Sequence, residues 1–225
     1  MTKQTIQTFR NFSEQKNTHY QRAYIIFFDE TDKTILLGQE LYGAQRFTNL
    51  GGGKEPMDFN QPIRTALREL LEELFEWHLN LKDKSHLKFF NDCLEFLKQA
   101  IKLRKKYHNY QYTNDKYIQF FLEISVLEYL LLKIKQHYKI QTELYSTFPN
   151  TIHQLVQNRI IRSNQEIGEL KLFSVHDNKH NLFKYHFLKY NPFQTPKTSV
   201  YPHPHNLYLN PYVLKNIQIL FAILI

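Results

Sequence analysis

The chain has 225 residues, 42% hydrophobic and 15% aromatic, which excludes wholesale disorder and suits one domain with additions or two small ones. Lys and Arg number 29 against 21 Asp and Glu, and the formal charge of +8 favours anionic partners such as phosphates, inositol phosphates, RNA or an acidic membrane surface without choosing among them. A single cysteine, Cys93, excludes an intrachain disulfide and a zinc site built on several thiolates, and suits a reducing, intracellular (cytoplasmic) setting.

Residues 1–19 form an N-terminal segment without the apolar run a signal peptide requires, so export by that route is not expected. Ala23–Phe28 and Thr34–Leu37 are β-rich runs joined by the polar turn Asp29–Lys33, which suits a hairpin. Phe47–Leu50 reads as a short strand running into Gly51, Gly52 and Gly53, three of the chain's six glycines. Bare backbone is needed there. Pro62 suits the first turn of a helix, which the pattern carries to about Trp77. Leu67, Leu70, Leu71 and Leu74 form its apolar face, and Glu69, Glu72, Glu73 and Glu76 fall on the opposite side.

A second helix is expected over Leu87–Lys106, with Phe90, Leu94, Leu97 and Ile101 on one side and a basic end at Lys102–Lys106. Tyr117–Ser125 reads as a strand, Val126–Lys139 as a helix, Thr142–Arg162 as loop and helix, and Glu169–Val175 as an alternating strand. Five of the eight prolines lie between Pro192 and Pro211, marking an irregular extension before a final helix that begins near Asn210. Its end, Ile217–Ile225, is nine residues long, whereas a membrane span needs about 20. It is expected to be a buried helix, with no membrane partner.

The chemistry concentrates in GGGKEPMDFNQPIRTALRELLEELFE, which is expected to join a glycine-rich turn to a helix. Glycines such as Gly52 and Gly53 let the main chain approach an anionic substrate, and glutamates at i, i+3 and i+4 converge where they can share a hard cation. Like charges at that spacing cost a helix about 0.2 to 0.5 kcal/mol each, so the cluster gains from a cation. Magnesium suits such oxygen ligands and bridges to substrate phosphates, and one of its waters can become a nucleophile. By itself, an acidic face opposite a leucine stripe is the common fate of an amphipathic helix; the glycines upstream change that estimate. Arg46 and Lys54 flank the glycines and are placed to touch substrate phosphates, with Arg22 a weaker choice, and each reads equally as an ordinary surface charge.

These residues resemble the signature of the Nudix hydrolases, G-x5-E-x7-R-E-U-x-E-E-x-G-U, in which U is apolar. Arg68-Glu69-Leu70-Leu71-Glu72-Glu73 reproduces the central R-E-U-x-E-E, and Gly52 with Asp58 matches the first half with an acid exchanged. Nine residues separate Asp58 from Arg68 where the family has seven, and counting back from Arg68 puts Asn60 in the first acidic position. Phe75 stands for the final glycine and Glu76 for an apolar residue. The resemblance covers about residues 20–178, with a helical insertion at about 77–115 and a C-terminal extension over 179–225.

It implies an α/β fold, an α/β/α sandwich with a mixed sheet, and hydrolysis of a phosphoanhydride in a small phosphorylated substrate. Gly53, Glu69, Glu72 and Glu73 would hold Mg2+ or Mn2+, Arg68 would orient the glutamates, and Glu166, or else Glu169, would be the general base. GGGKEP is also similar to a turn in the branch acting on diphosphoinositol and dinucleoside polyphosphates. The alternatives are hydrolysis of the messenger RNA cap, suggested by Lys102–Lys106 with Tyr107, Tyr110 and Tyr112, and a silent Nudix-like domain binding a nucleotide or a protein. Cys93 reads as a small core or boundary residue and not a nucleophile, and the pairs His176/His180 and His203/His205 as incidental.

Overall fold

The computed structural model describes residues 5–8, 19–32, 34–42, 46–103, 110–113, 116–137, 143–163 and 165–174. The extension over 179–225 with its final helix, the four histidines named above, Tyr107 and the side chains of Lys102–Lys106, Tyr110 and Tyr112 lie outside the described residues.

In chain order the elements are β1 (Thr5–Thr8), β2 (Arg22–Asp29), β3 (Thr34–Glu40), β4 (Phe47–Thr48), β5 (Leu50–Gly53), α1 (Pro62–Phe75), α2 (Lys84–Leu103), β6 (Tyr110–Thr113), β7 (Tyr117–Glu123), α3 (Ile124–His137), α4 (Ile152–Gln157) and β8 (Ile167–Ser174). The architecture is α/β, with one sheet of eight strands in the order β1-β6-β7-β2-β3-β4, β5 joined to β2 and β8 to β3. All pairings are antiparallel except β2 with β7.

β2 organises the sheet. Along one edge it pairs with β7 from Arg22 to Phe28. Along its other edge β5 takes Arg22–Ile25 and β3 takes Phe27–Asp29. The run AYIIFF is apolar at both parities because both faces of the strand are covered, with Tyr24 alone half-buried. Ala23, Ile25 and Phe27 join the leucines of α1, Phe90, Leu94 and Leu97 of α2, Leu127, Leu130 and Leu131 of α3 and Leu155 of α4 in one core. Ile26 and Phe28 point to the other face and are equally shielded from water. Cys93 is buried in the helical core, the place expected of it.

Three expectations are corrected. The glycines form strand β5, not a turn, because their backbone groups complete the ladder that β3 leaves open beside Arg22–Ile25. Helix α1 stops at Phe75 because Glu76 turns left-handed (φ 51°), with its amide donating to the carbonyls of Glu72 and Leu71. The stretch between Trp77 and residue 115 holds a strand as well as a helix: β6 pairs with β7 and carries β1, from the N-terminal segment, on its other edge. Tyr and Thr in YQYT favour an extended backbone, a signal easily overlooked beside the basic run.

Candidate functional site

Strand β5 and helix α1 are the two elements that build the site. Gly51 has φ +133°, and a side chain there would collide with the carbonyl of Ala23. At Gly52 a Cβ would overlap the Glu69 carboxylate, so the missing side chain is what lets that acid lie against the strand. Gly53 has open space where its side chain would be. The Gly51 amide donates to Glu73 Oε2 at 2.9 Å. Strand and helix are thereby joined through the acids.

Arg68 is the pivot. Only 1% exposed, it pairs with Glu69 at 2.9 Å, Glu72 at 3.0 Å and Asp58 at 3.2 Å, and its Nη2 donates to the Gly53 carbonyl at 2.6 Å. A buried guanidinium needs such partners for its donors.

Asp58, at the end of a 3-10 turn (Pro56–Asp58), is also buried, and accepts from the Glu55 amide at 2.8 Å and Thr65 Oγ1 at 2.7 Å as well as from Arg68. The two extra residues of this connection are taken up at Phe59 and Asn60, which are both left-handed (φ 52° and 58°). The acid that meets Arg68 is therefore Asp58. Asn60 sits apart, its Oδ1 3.4 Å from Lys54 Nζ.

A cavity of about 880 Å3 opens over β5. Glu69, Glu73 and Glu166 line it, joined by Glu40 and Glu55; Arg22, Lys54 and Lys116 supply positive charge, and Tyr24, Tyr117, Thr48 and Asn49 complete a mixed aromatic and polar wall. The rings of Tyr24 and Tyr117 meet edge to face at 6.3 Å. Burial pushes the Glu69 carboxyl up to about 7, held back by Arg68 and pushed further by Glu72 and Glu166. Burial, then the neighbouring Glu69, pushes Glu73 well above the usual carboxylate range. Glu72 is raised by burial and restrained by Arg68. The cavity thus gathers more negative charge than Arg68 neutralises, a setting in which a cation or a proton is favoured.

No family model, curated protein or solved structure matches this chain. Its site is therefore read from geometry.

Of the residues expected to act, the structure brings Gly52, Gly53, Lys54, Glu69, Glu73, Glu166 and Arg22 to one cavity. Others fall elsewhere. Glu72 is drawn to Arg68, with His78 Nδ1 3.8 Å away, and is not part of the cavity lining. Arg46 stands where the chain enters β4, its carbonyl accepting from the Glu40 amide, and does not line the cavity. Glu169 is exposed on β8 and also lies outside the lining.

Among the described residues, no three acidic, histidine or cysteine side chains converge closely enough to form a ready metal cage. The carboxylates are instead engaged by Arg68 and by the Gly51 amide. No helix among the described residues is long and apolar enough to cross a membrane.

Sequence reading missed Tyr24, Tyr117, Lys116, Asn49, Glu40 and Glu55, which line the cavity. Tyr24 carried a usable signal, since period-2 alternation places it with Arg22 on one side of β2; Tyr117 joins them only through the parallel register that sets it beside Arg22. Asn49 carried none, since its place follows from the break between β4 and β5.

Proposed function

We propose that the chain is a Nudix-type hydrolase that uses Mg2+ or Mn2+ to cleave a phosphoanhydride in a nucleoside diphosphate-linked or similar polyphosphate substrate. The observation that carries this reading is one cavity lined together by Glu69, Glu73 and Glu166, by the glycine backbone of β5 and by Arg22, Lys54 and Lys116. A neutral ligand has no use for cations and acids on the same lining, whereas a metal–phosphate ligand uses both.

The donor set fits a hard divalent ion. Its ligands would be carboxylate oxygens, and the raised protonation tendency of Glu69 and Glu73 is what a positive charge between them would relieve. Glu69 and Glu73 would hold the ion, with the Gly53 carbonyl beside them. When bound, it would acidify a water and offset charge developing on the phosphates.

The chain's own groups supply the rest. Asp58 holds Arg68, and Arg68 holds the Glu69 carboxylate in the space that Gly52 leaves free. Arg22, Lys54 and Lys116 would bind phosphate oxygens and orient the anhydride. A carboxylate oxygen of Glu166 would accept the proton of the attacking water.

A silent binding domain is the second reading, favoured by the turning of Glu72 toward Arg68 and the absence of a three-acid cage among the described residues. Turnover decides between them. Assayed on diadenosine polyphosphates, ADP-ribose, diphosphoinositol compounds and capped RNA, the chain should release phosphate or a nucleoside monophosphate only with Mg2+ or Mn2+. Glu69→Gln should lower kcat by at least about 100-fold. No product across the panel means that the silent reading holds, and product from capped RNA alone supports the decapping alternative.

A further inference from the structure

Arg159 follows α4 and takes no part in the cavity lining, yet its guanidinium ties together elements that flank it. Its Nε donates to the Gly168 carbonyl at 2.7 Å. Nη1 donates to Tyr145 Oη at 3.0 Å and to the Leu74 carbonyl at 3.3 Å. Nη2 donates to the carbonyls of Glu73 at 2.8 Å and Ile167 at 2.6 Å. A guanidinium carries five N–H donors, and here the five bonds use them all.

The acceptors make the arrangement informative. Glu73 and Leu74 belong to the last turn of α1, whose carbonyls have no partner within the helix. Ile167 and Gly168 open β8, directly after Glu166. One side chain thus ties the end of the helix bearing Glu69 and Glu73 to the residue that follows Glu166. Tyr145 strengthens the tie, since its hydroxyl also donates to the Leu74 carbonyl at 2.8 Å. A cation at that end of α1 also complements the helix dipole.

We propose that Arg159 is a positioning residue that sets the Glu166 carboxylate against those of Glu69 and Glu73 across the cavity. The inference rests on the hydrolase reading for its chemical meaning. Lysine keeps the charge but cannot reproduce the planar five-donor fork, so Arg159→Lys separates charge from geometry. A misplacement of about 1 Å in such a site costs on the order of 100-fold in rate.

The test is a double-mutant cycle on the full chain: wild type, Arg159→Lys, Glu166→Gln and the double variant. Turnover of a diadenosine polyphosphate, Mn2+ affinity by calorimetry and thermal midpoint are measured for each. Arg159→Lys should lower kcat on the order of 100-fold while KM moves by less than about threefold, and should add little once Glu166 is Gln. Mn2+ affinity should show the same non-additivity. Additive losses in both measurements overturn the proposal and leave Arg159 a structural brace. Coupled Mn2+ affinities in a chain without turnover would overturn the hydrolase reading alone, and neither turnover nor Mn2+ binding in the wild type overturns both. If Arg159→Lys fails to fold, Tyr145→Phe, which removes one acceptor of Nη1 and the second bond to Leu74, is put through the same cycle.

Discussion

The Glu69 carboxyl has been moved to near neutral pH by its surroundings, and the direction of that shift gives the protein a response to pH. Its ordinary value of 4.5 rises to about 7 in the fold, chiefly through burial. The folded chain therefore holds this proton more tightly than the unfolded chain does. The associated stability is fully present below about 4.5 and is lost as pH climbs through 7. In EDTA, the thermal midpoint should drop by roughly 5 °C between pH 5 and pH 8 on this account. Glu69→Gln should flatten the drop, and Mg2+ should raise the midpoint more at pH 8 than at pH 5. Scanning calorimetry on both chains checks each point.

Asp58 shows what a single residue's place in the sequence could and could not tell. Its distance from Arg68 is two residues longer than the signature's, which left Asp58 and Asn60 as rivals. Left-handed backbone at Phe59 and Asn60 resolves the rivalry by folding the surplus out of the way, and neither residue is a glycine that would announce such a turn.

At the scale of elements, helix α1 was legible because its leucines repeat at helical spacing and Pro62 marks its start. Its end was less so. The left-handed position that closes it is occupied by Glu76, where glycine would carry no steric penalty, and the acid also opposes the helix dipole. Glu76→Gly should stabilise the fold by about 1 kcal/mol, read as a higher urea midpoint with an unchanged slope.

Strand β5 was hidden for the opposite reason. Glycine is depleted in strands, so three in a row read as a turn, and only the uncovered edge of β2 at Arg22–Ile25 explains why they extend. The direction of Glu72 was hidden as well. Spacing alone puts it with Glu69 and Glu73, but Arg68, one turn earlier, draws it away from the cavity.

For the whole molecule, individual strands and helices could be read from β-rich and helical runs and the α/β class came with the family resemblance, whereas the sheet's long-range pairings could not be read. β1 with β6 and Arg159 with the carbonyls of α1 join segments far apart in the chain, and no local pattern encodes them. The net charge of +8 acts at this scale too. A polyphosphate is drawn toward a positively charged protein over distances comparable to the Debye length, about 8 Å at physiological ionic strength. If the hydrolase reading holds, raising NaCl from 50 to 300 mM should raise KM roughly threefold or more and leave kcat nearly constant, as steady-state kinetics would show.

The division of one strand's edge between two neighbours has an evolutionary corollary. Glu40, Thr48 and Asn49 belong to the rim where the sheet forks, on β3, on β4 and between β4 and β5, and not to the helix that presents the acids. On the hydrolase reading, substitutions there would change which leaving group is admitted while leaving Arg68, Glu69 and Glu73 in place.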